Sequence, residues 1–233
     1  MAVYKLFPSQ DATIYSRYPN KNTGLDEILS VSIEDAQDSG NTQAARTLIQ
    51  FSSTEIADVI TNKVSGSTWG ASLRGFIAEA NGLNFDTILE VYAVTGSWNM
   101  GTGKYSYSPE YTNGVSWYDK LSSGSGAWRT AGFPTGVTGS YGSVSGGGNW
   151  YTSSYTQSFS YYNDKDININ VTPIVKKKPP VLKRTAFSET QTCVRLLFDK
   201  LFLMYCPVFF KAQDINSRCK RFKVNFLICV CFY

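Results

Sequence analysis

The most constraining feature of this sequence is the regular alternation in residues 87–94. Every second side chain falls on the same side of an extended chain, and the two sides are Thr87, Leu89, Val91 and Ala93, and Ile88, Glu90, Tyr92 and Val94. This period of two predicts a β-strand with one face in a hydrophobic core. A second apolar run, residues 72–80, precedes it, and the link at 81–84 reads Asn-Gly-Leu-Asn. Because Asn-Gly is typical of tight turns, the two runs are predicted to form a hairpin or a tightly connected strand pair.

Further short runs along the chain have the same strand character. They are residues 3–7, 12–15, 28–32, 46–51, 150–162 and 167–172, and turn-forming residues separate most of them. Aromatic residues make up 15% of the chain and charged residues only 17%. That balance favours a sheet protein with extended loops over a helical bundle. We therefore predict an all-β fold, an antiparallel β-sandwich or jelly roll.

One short helix is predicted directly after the run 46–51. Ser52 and Glu55 have the spacing of a capping box, in which each side chain satisfies a backbone N–H at the start of a helix. Ile56, Val59 and Ile60 then give the apolar spacing of one helix face. Such a helix would cover one end of the sandwich.

Residues 96–149 are rich in Gly, Ser, Thr, Tyr and Trp. Disordered linkers normally lack so many aromatic residues, so we predict long ordered loops that carry short strands, for instance at 115–118. Trp98 and Trp117 stand at strand-like positions and are assigned to the core. In a rigid β scaffold, loops of this kind tend to carry function.

The chain divides at residue 176 into two parts of different composition. Residues 1–175 hold all 19 Gly and all five Trp and carry 10 basic and 15 acidic residues, a net charge of −5. Residues 176–233 have no Gly, all five Cys and a net charge of +9. Because phosphate contacts need clustered Lys and Arg, we expect no nucleic-acid binding through the first part.

The second part opens with Lys-Lys-Lys-Pro-Pro at 176–180. Lysine codons are rich in adenine, so three in a row imply a run in which a base is easily gained or lost. We hypothesise that residues 176–233 are a frame-shifted reading that replaces the original end of the domain. The alternative is a genuine basic, apolar appendage. Its one close cysteine pair, Cys229 and Cys231, lacks the second pair that a metal site would need.

The sequence predicts neither export by a signal peptide nor a membrane span. The first ten residues lack a charged start followed by an apolar run. The longest apolar stretch, residues 194–210, is interrupted by Arg195, Asp199 and Lys200. A membrane helix needs about 18 or more consecutive apolar residues.

Enzymatic chemistry has little support in this sequence, and we predict that the protein is not an enzyme. The chain contains no His, which excludes Ser-His-Asp and Cys-His arrangements and His-based zinc sites. Asp86, Glu90 and Glu110 flank the loop region and are the candidates for a carboxylate pair that hydrolyses glycans. Solvated surface charge explains them better.

Contact with a glycan or a partner protein is the better-supported role for the loops. Tyr and Trp rings stack on the flat faces of sugars, and their polar edges form hydrogen bonds. Their mixture with Gly and Ser is similar to that of antibody binding loops. The alternative is packing within the loops or against neighbouring subunits. The candidate contact residues are Tyr105, Tyr107, Tyr111, Trp128, Tyr141, Trp150 and Tyr151.

Several segments resemble, in their order, those of the DNRLRE family. They are residues 11–15, 22–24, 46–51, 71–78, Trp98, 115–117 and 169–172. That family is a carbohydrate-binding-type β-sandwich of secreted and surface proteins. The stretches PNKNTGLDEIL, RTLIQFSSTEI and GSWNMGTGKY with NGVSW are similar to virion structural proteins of contractile-tailed marine cyanobacterial phages. The resemblance covers residues 3–175, and since family members continue through further strands, residues 1–175 are predicted to lack the last strands.

The resemblance implies a virion structural protein of the tail, baseplate or fibre. Its partners would be other virion proteins and host-surface polysaccharide, and its location the virion. A carbohydrate-binding module of a surface or secreted adhesin is the alternative.

The resemblance also brings a structural calcium into consideration, since such sandwiches often hold one with Asp, Asn and backbone oxygens. No other cofactor is expected. The candidate ligands are Asp11, Asn22 and Asp26 near the first turn, and Asp164 and Asp166 before the last strand. Turn chemistry, in which Asn and Asp bond to their own backbone, is the alternative.

Overall fold

A computed structural model of the protein describes residues 3–35, 42–64, 68–81, 87–140, 145–159, 166–176, 208–213, 220–225 and 231–232. Within these ranges the chain consists mainly of β-strands. The strands are β1 Pro8–Tyr15, β2 Leu29–Asp35, β3 Thr42–Phe51, β4 Ala71–Asn81, β5 Thr87–Val94, β6 Asp119–Ser122, β7 Ser125–Ala127, β8 Val137–Ser140, β9 Gly146–Phe159, β10 Ile167–Asn170, β11 Val208–Gln213, β12 Lys220–Asn225 and β13 Cys231–Phe232. The helices are α1 Ser53–Asp58, which continues into a π-helical turn over Val59–Lys63, and α2 Thr172–Lys176.

Every strand pairing in the described part of the chain is antiparallel. The strands follow the order β10-β4-β12-β2-β3-β11-β5-β9-β8, with β1 paired to β3 and β13 paired to β4. Strands β6 and β7 form a separate hairpin. The predicted all-β class is confirmed. Its division into the two facing sheets of a sandwich or jelly roll stays a prediction.

The first hydrophobic core lies on one face of β3 and β5. Ile49 and Phe51 from β3 and Leu89 and Val91 from β5 are buried in it. Residues from β4, β10 and α1 complete it, namely Leu73, Ile167, Ile169 and Ile56. The face of β5 that carries Leu89 and Val91 therefore packs in this core.

A second core lies on the opposite face of the same two strands. Leu48 of β3 and Val94 of β5 are buried there. They pack with Trp98, Val115, Trp117 and Trp128 from the loop region and with Trp150 of β9. The expectation that β5 has only one face in a core is wrong, because the loop region folds back over the sheet and removes its second face from water.

Strand β1 differs from its sequence-based prediction. In the prediction, the turn-forming residues 8–11 separate two short strands, whereas β1 runs from Pro8 to Tyr15, with a register shift between Pro8 and Gln10. Gln10 and Asp11 pair with β3 residues, and the Ser9 hydroxyl donates a hydrogen bond to the carbonyl of Gln50. These long-range bonds override the local turn signal. Pro8 is tolerated because it stands at the first position of the strand.

The predicted hairpin between β4 and β5 is also wrong. Among the described residues, β4 pairs with β10, β12 and β13, and β5 pairs with β9 and β11. The two strands contribute to the sheet at separate positions. The connecting residues 82–86 lie outside the described ranges.

The predicted helix start is confirmed. The Ser52 hydroxyl oxygen accepts the N–H of Glu55 at 3.3 Å. The strand predicted for 167–172 is shorter than expected, since β10 ends at Asn170 and α2 follows. The side chain of Asn170 accepts the N–H of Thr172, a local bond that competes with continuation of the strand.

Three of the described strands come from residues 176–233. Strand β11 lies between β3 and β5, β12 lies between β2 and β4, and β13 pairs with β4. The origin of this region as a frame-shifted reading stays a prediction. No helix in the described part of the chain is long and apolar enough to cross a membrane.

Candidate functional site

The side chain of Asn22 joins the first turn of the chain to the loop that follows β5. It is fully buried. Its amide nitrogen donates to the carbonyl oxygens of Met100 at 2.7 Å and Val115 at 2.9 Å. Its amide oxygen accepts the N–H of Gly103 at 2.8 Å. One side chain thus holds three points of the loop, through two buried bonds and one partly buried bond.

Close approach to Asn22 requires glycine in this loop. A Cβ added at Gly103 would collide with the backbone of Asn22, and one added at Gly101 would collide with its side chain. Gly101 also has a φ of +75°, a conformation that other residues rarely adopt. The glycines of this loop are therefore a packing requirement of an ordered segment.

Lys21 lies beneath the rings of two tyrosines. Its ammonium nitrogen is 5.1 Å from the ring centroid of Tyr18 and 5.0 Å from that of Tyr105. It donates to the carbonyl oxygen of Tyr105 at 3.0 Å and lies 3.8 Å from a carboxylate oxygen of Glu110. The residue is only 9% exposed. A partly desolvated cation between two aromatic faces stabilises both ring positions.

Five tyrosines form the outer side of this arrangement, which we name the tyrosine surface: Tyr15, Tyr18, Tyr105, Tyr107 and Tyr111. Tyr105 contacts Tyr15 with ring centroids 5.0 Å apart and Tyr18 with centroids 5.6 Å apart. Tyr107 and Tyr111 form a second pair at 5.1 Å. Tyr105, Tyr107 and Tyr111 are 44%, 36% and 46% exposed. The surface therefore presents fixed rings to solvent.

Backbone bonds tie the two tyrosine groups together. The N–H of Asn22 donates to the carbonyl oxygen of Tyr111 at 2.8 Å, and the N–H of Tyr105 donates to the carboxylate of Asp26 at 2.9 Å. Burial, followed by a hydrogen bond with Tyr18, raises the pKa of Tyr105 to about 12. The phenol is therefore neutral at physiological pH.

The seven predicted contact residues lie in different environments. Tyr105, Tyr107 and Tyr111 belong to the tyrosine surface. Tyr151 is half-buried on β9, and Tyr141 lies outside the described residues. The prediction that Trp128 and Trp150 contact a glycan or a partner is wrong, because they are 2% and 6% exposed in the second core.

Specific contacts explain the burial of the two tryptophans. The indole N–H of Trp128 donates to the carbonyl oxygen of Ser116 at 3.1 Å, which satisfies its polar edge away from water. Trp150 packs against Tyr92 with ring centroids 5.9 Å apart. Trp98 and Trp117, assigned to the core from the sequence, are confirmed as buried.

Sequence reasoning missed Tyr15, Tyr18 and Lys21 as parts of the surface. Tyr18 and Lys21 lie in the segment 18–24, in which almost every residue is a loop former, and the sequence predicts only a turn there. The sequence pattern that could have pointed to them is an aromatic residue and a cation three positions apart, in the segment that also carries Asn22. That signal is weak, because the ring of Tyr105 comes from a distant segment.

A buried cation supports the second core and was also missed. The guanidinium carbon of Arg46 lies 4.6 Å from the ring of Trp117 and 5.0 Å from that of Trp150. Its Nη1 donates to the carbonyl oxygen of Gly147 at 2.6 Å. Burial lowers the pKa of Arg46 to about 9. Arg46 thus fixes the glycine segment 146–148 against the two indoles.

Two of the calcium candidates, Asn22 and Asp26, form hydrogen bonds with the protein itself. Both ends of the Asn22 amide bond to backbone groups of the distant loop after β5, and Asp26 accepts the N–H of Tyr105. The local bond that turn chemistry predicts is present at Asn22, whose amide oxygen also accepts the N–H of Gly24 at 3.4 Å. Burial raises the pKa of Asp11. No group of three or more His, Cys, Asp or Glu suited to a metal occurs in the part of the chain described, which includes Asp166 but not Asp164.

The carboxylate candidates have separate partners. Glu90 is buried on β5 and accepts the hydroxyl of Tyr92 at 2.9 Å. Glu110 lies beside Lys21. Asp86 lies outside the described residues. The tyrosine surface, in contrast, offers ring faces and hydroxyl groups for contact with a partner.

Comparison of the chain with models of known families, with curated proteins and with solved structures finds no match.

Proposed function

We propose that this protein is a non-enzymatic virion structural protein, a tail, baseplate or fibre component of a contractile-tailed phage. Its role is assembly with other virion proteins and recognition of a host-surface glycan. The observation that carries the proposal is the tyrosine surface, where Tyr105, Tyr107 and Tyr111 stay exposed although the chain holds them in place. The ordered resemblance of residues 3–175 to virion proteins supports the location.

Exposed rings held in fixed positions support a contact role. Water-exposed aromatic faces do not stabilise a monomer, whereas rings of this kind are enriched at the centres of binding sites. The rings need no ordering on binding, because Asn22 and Lys21 already hold the segments that carry them. Less conformational entropy is then lost when a partner is bound.

A carbohydrate-binding module of a surface or secreted adhesin is the second candidate. The phenol hydroxyls of the tyrosine surface favour it, since they place hydrogen-bonding groups at the edges of the stacking faces. The two candidates use the same surface and differ in the particle or cell that carries it.

Mass spectrometry of purified phage particles tests the virion proposal. Peptides from residues 1–175 are expected at a fixed ratio to those of tail proteins. Particles that lack these peptides, from a lysate in which the chain is expressed, would overturn the virion role and leave the adhesin candidate.

Variants of the tyrosine surface test its part in that role. The double variant Tyr105→Ala/Tyr111→Ala is expected to lower host attachment or the amount of this protein per particle. Phe7→Ser is the matched control, because Phe7 is also an exposed aromatic residue, at 52%, but lies outside the tyrosine surface. Equal behaviour of the two variants would contradict a role for the surface.

A further inference from the structure

The segment that forms the outer part of the tyrosine surface is polar throughout. From Lys104 to Asn113, every side chain except Pro109 carries a hydrogen-bonding oxygen or nitrogen, and residues 105–113 are all exposed. The segment contains no Ala, Val, Leu, Ile or Met. Ser is depleted in protein–protein interfaces, whereas a sugar offers an apolar ring face surrounded by hydroxyl groups. The mixture of phenol rings and small hydroxyls therefore fits a sugar better than an apolar protein surface.

The charges around the rings are largely neutralised within the protein. Lys21 is bonded beneath the rings, and Lys104 forms a 2.8 Å ion pair with Glu27. This ion pair, through its hydrogen bond, lowers the pKa of Glu27. The acidic groups Asp26 and Glu110 have the backbone N–H of Tyr105 and the ammonium of Lys21 beside them.

Arg17 is the remaining cation of this surface, and its guanidinium carbon lies 5.7 Å from the ring centroid of Tyr18. With Lys21 and Lys104 it makes three basic groups, against three acidic groups, Asp26, Glu27 and Glu110. An acidic polysaccharide would be attracted by an excess of positive charge, which this surface lacks. The balance favours an uncharged ligand.

From these observations we infer that the tyrosine surface binds an uncharged oligosaccharide. Sugar rings stack on Tyr105 and on the Tyr107–Tyr111 pair, and the hydroxyls of Ser106, Ser108 and the phenols bond to their edges. Lys21 acts from below as a positioning residue that keeps Tyr18 and Tyr105 in place. The inference rests on the proposed function, since it names the ligand class of the same contact surface.

Isothermal titration calorimetry of the full chain with soluble neutral oligosaccharides of glucose and of mannose, and with an oligomer of a uronic acid, tests this inference. A neutral oligosaccharide is expected to bind, with an affinity that is unchanged between about 0.05 and 0.5 M NaCl because no ion pair is formed. Tyr105→Ala and Tyr111→Ala are each expected to weaken binding by up to about tenfold, the effect of losing one aromatic stacking contact. Phe7→Ser should bind as the unchanged protein does.

Three results would overturn the inference. The first is that only the uronic acid oligomer binds and that its binding is lost at high salt. The second is that a neutral sugar binds but the tyrosine variants bind it equally well. The third is that none of these sugars binds to a protein whose thermal unfolding is cooperative. The last result, together with loss of the protein from particles of the tyrosine variants, would assign the surface to a protein partner. Sugar binding by a chain that is missing from purified particles would instead overturn the virion role and keep the inference.

Discussion

Lys21 and Tyr105 meet at two points. The ammonium of Lys21 lies 5.0 Å from the centroid of the Tyr105 ring and also donates a hydrogen bond of 3.0 Å to the carbonyl oxygen of the same residue. Ring and backbone of Tyr105 are thus both held by one buried cation. Since the two residues are 84 positions apart, this contact joins the first turn of the chain to the loop after β5.

Replacement of this cation should loosen the surface. Lys21→Met keeps most of the side-chain volume but leaves the carbonyl oxygen of Tyr105 without its charged donor. We expect a loss of about 1–3 kcal/mol in the free energy of unfolding, measured by urea denaturation. Lys104→Met is the matched control, because its ion pair with the exposed Glu27 is a surface contact that contributes little to stability. A loss for Lys21→Met no larger than that of the control would contradict this role.

The amide of Asn22 should be required as a donor. Asn22→Asp has the same shape but replaces the nitrogen that donates to Met100 and Val115 with an oxygen, inside a buried site. We expect a loss of about 3 kcal/mol or more in the free energy of unfolding. The same change at the exposed Asn113 removes one solvent-exposed bond, from its amide nitrogen to the hydroxyl of Thr102, and should cost about 1 kcal/mol or less. Similar costs at the two positions would show that the Asn22 bonds contribute little.

A methyl group at Gly103 should displace the loop. Gly103→Ala places a Cβ against the backbone carbonyl of Asn22, which cannot move as a flexible side chain would. We expect overpacking to lower the free energy of unfolding by about 1–3 kcal/mol or more. We also expect the displaced loop to change the access of a fluorescence quencher to Tyr105. Gly124→Ala is the comparison, since a Cβ there has nothing within 4 Å and meets only the strain of its φ of +77°. Unchanged stability of Gly103→Ala would contradict the close packing.

Stability should depend on Tyr105 at high pH. Its pKa is raised to about 12 in the folded chain, from an ordinary value of 10.0, mainly by partial burial of the phenol. The folded state therefore keeps a proton that the unfolded state loses. The stability that this group contributes is fully present below pH 10 and is lost as the pH rises through about 12. Absorbance titration of the unchanged protein should show a phenol that ionises near pH 12, and the Tyr105→Phe variant should lack it. An identical titration curve for the variant would contradict the raised pKa of Tyr105.

The frame-shift hypothesis makes a prediction about the gene. The DNA that encodes residues 176–178 should contain a nearly unbroken run of adenines. One of the alternative reading frames after it should continue without a stop codon and encode Gly and Trp, as the first 175 residues do. Sequencing across this run is the measurement. A composition in both alternative frames as poor in Gly as the present one would support a genuine appendage instead.

The local rules of the sequence predicted local features well. Alternation placed β5 at its observed bounds, Thr87–Val94, and the Ser52 and Glu55 spacing located the start of α1. Both features depend only on residues close together along the chain. The bounds of β5 follow from the period of a strand, and the start of α1 follows from the free N–H groups of a first helical turn. Where a distant partner intervened, as β3 does for β1, the local turn signal at 8–11 was overridden.

The sequence by itself determined the β class, the position of most strands and the presence of ordered aromatic loops. Only the tertiary structure decided which aromatic residues are available for contact. Tyr105 and Trp128 have similar neighbours along the chain, rich in Gly and Ser, yet Trp128 is buried against β3 and β5 and Tyr105 is exposed above Lys21. The reason is that burial depends on which face of the sheet a loop folds back upon, and that is fixed by long-range contacts such as those of Arg46 and Asn22 rather than by adjacent residues.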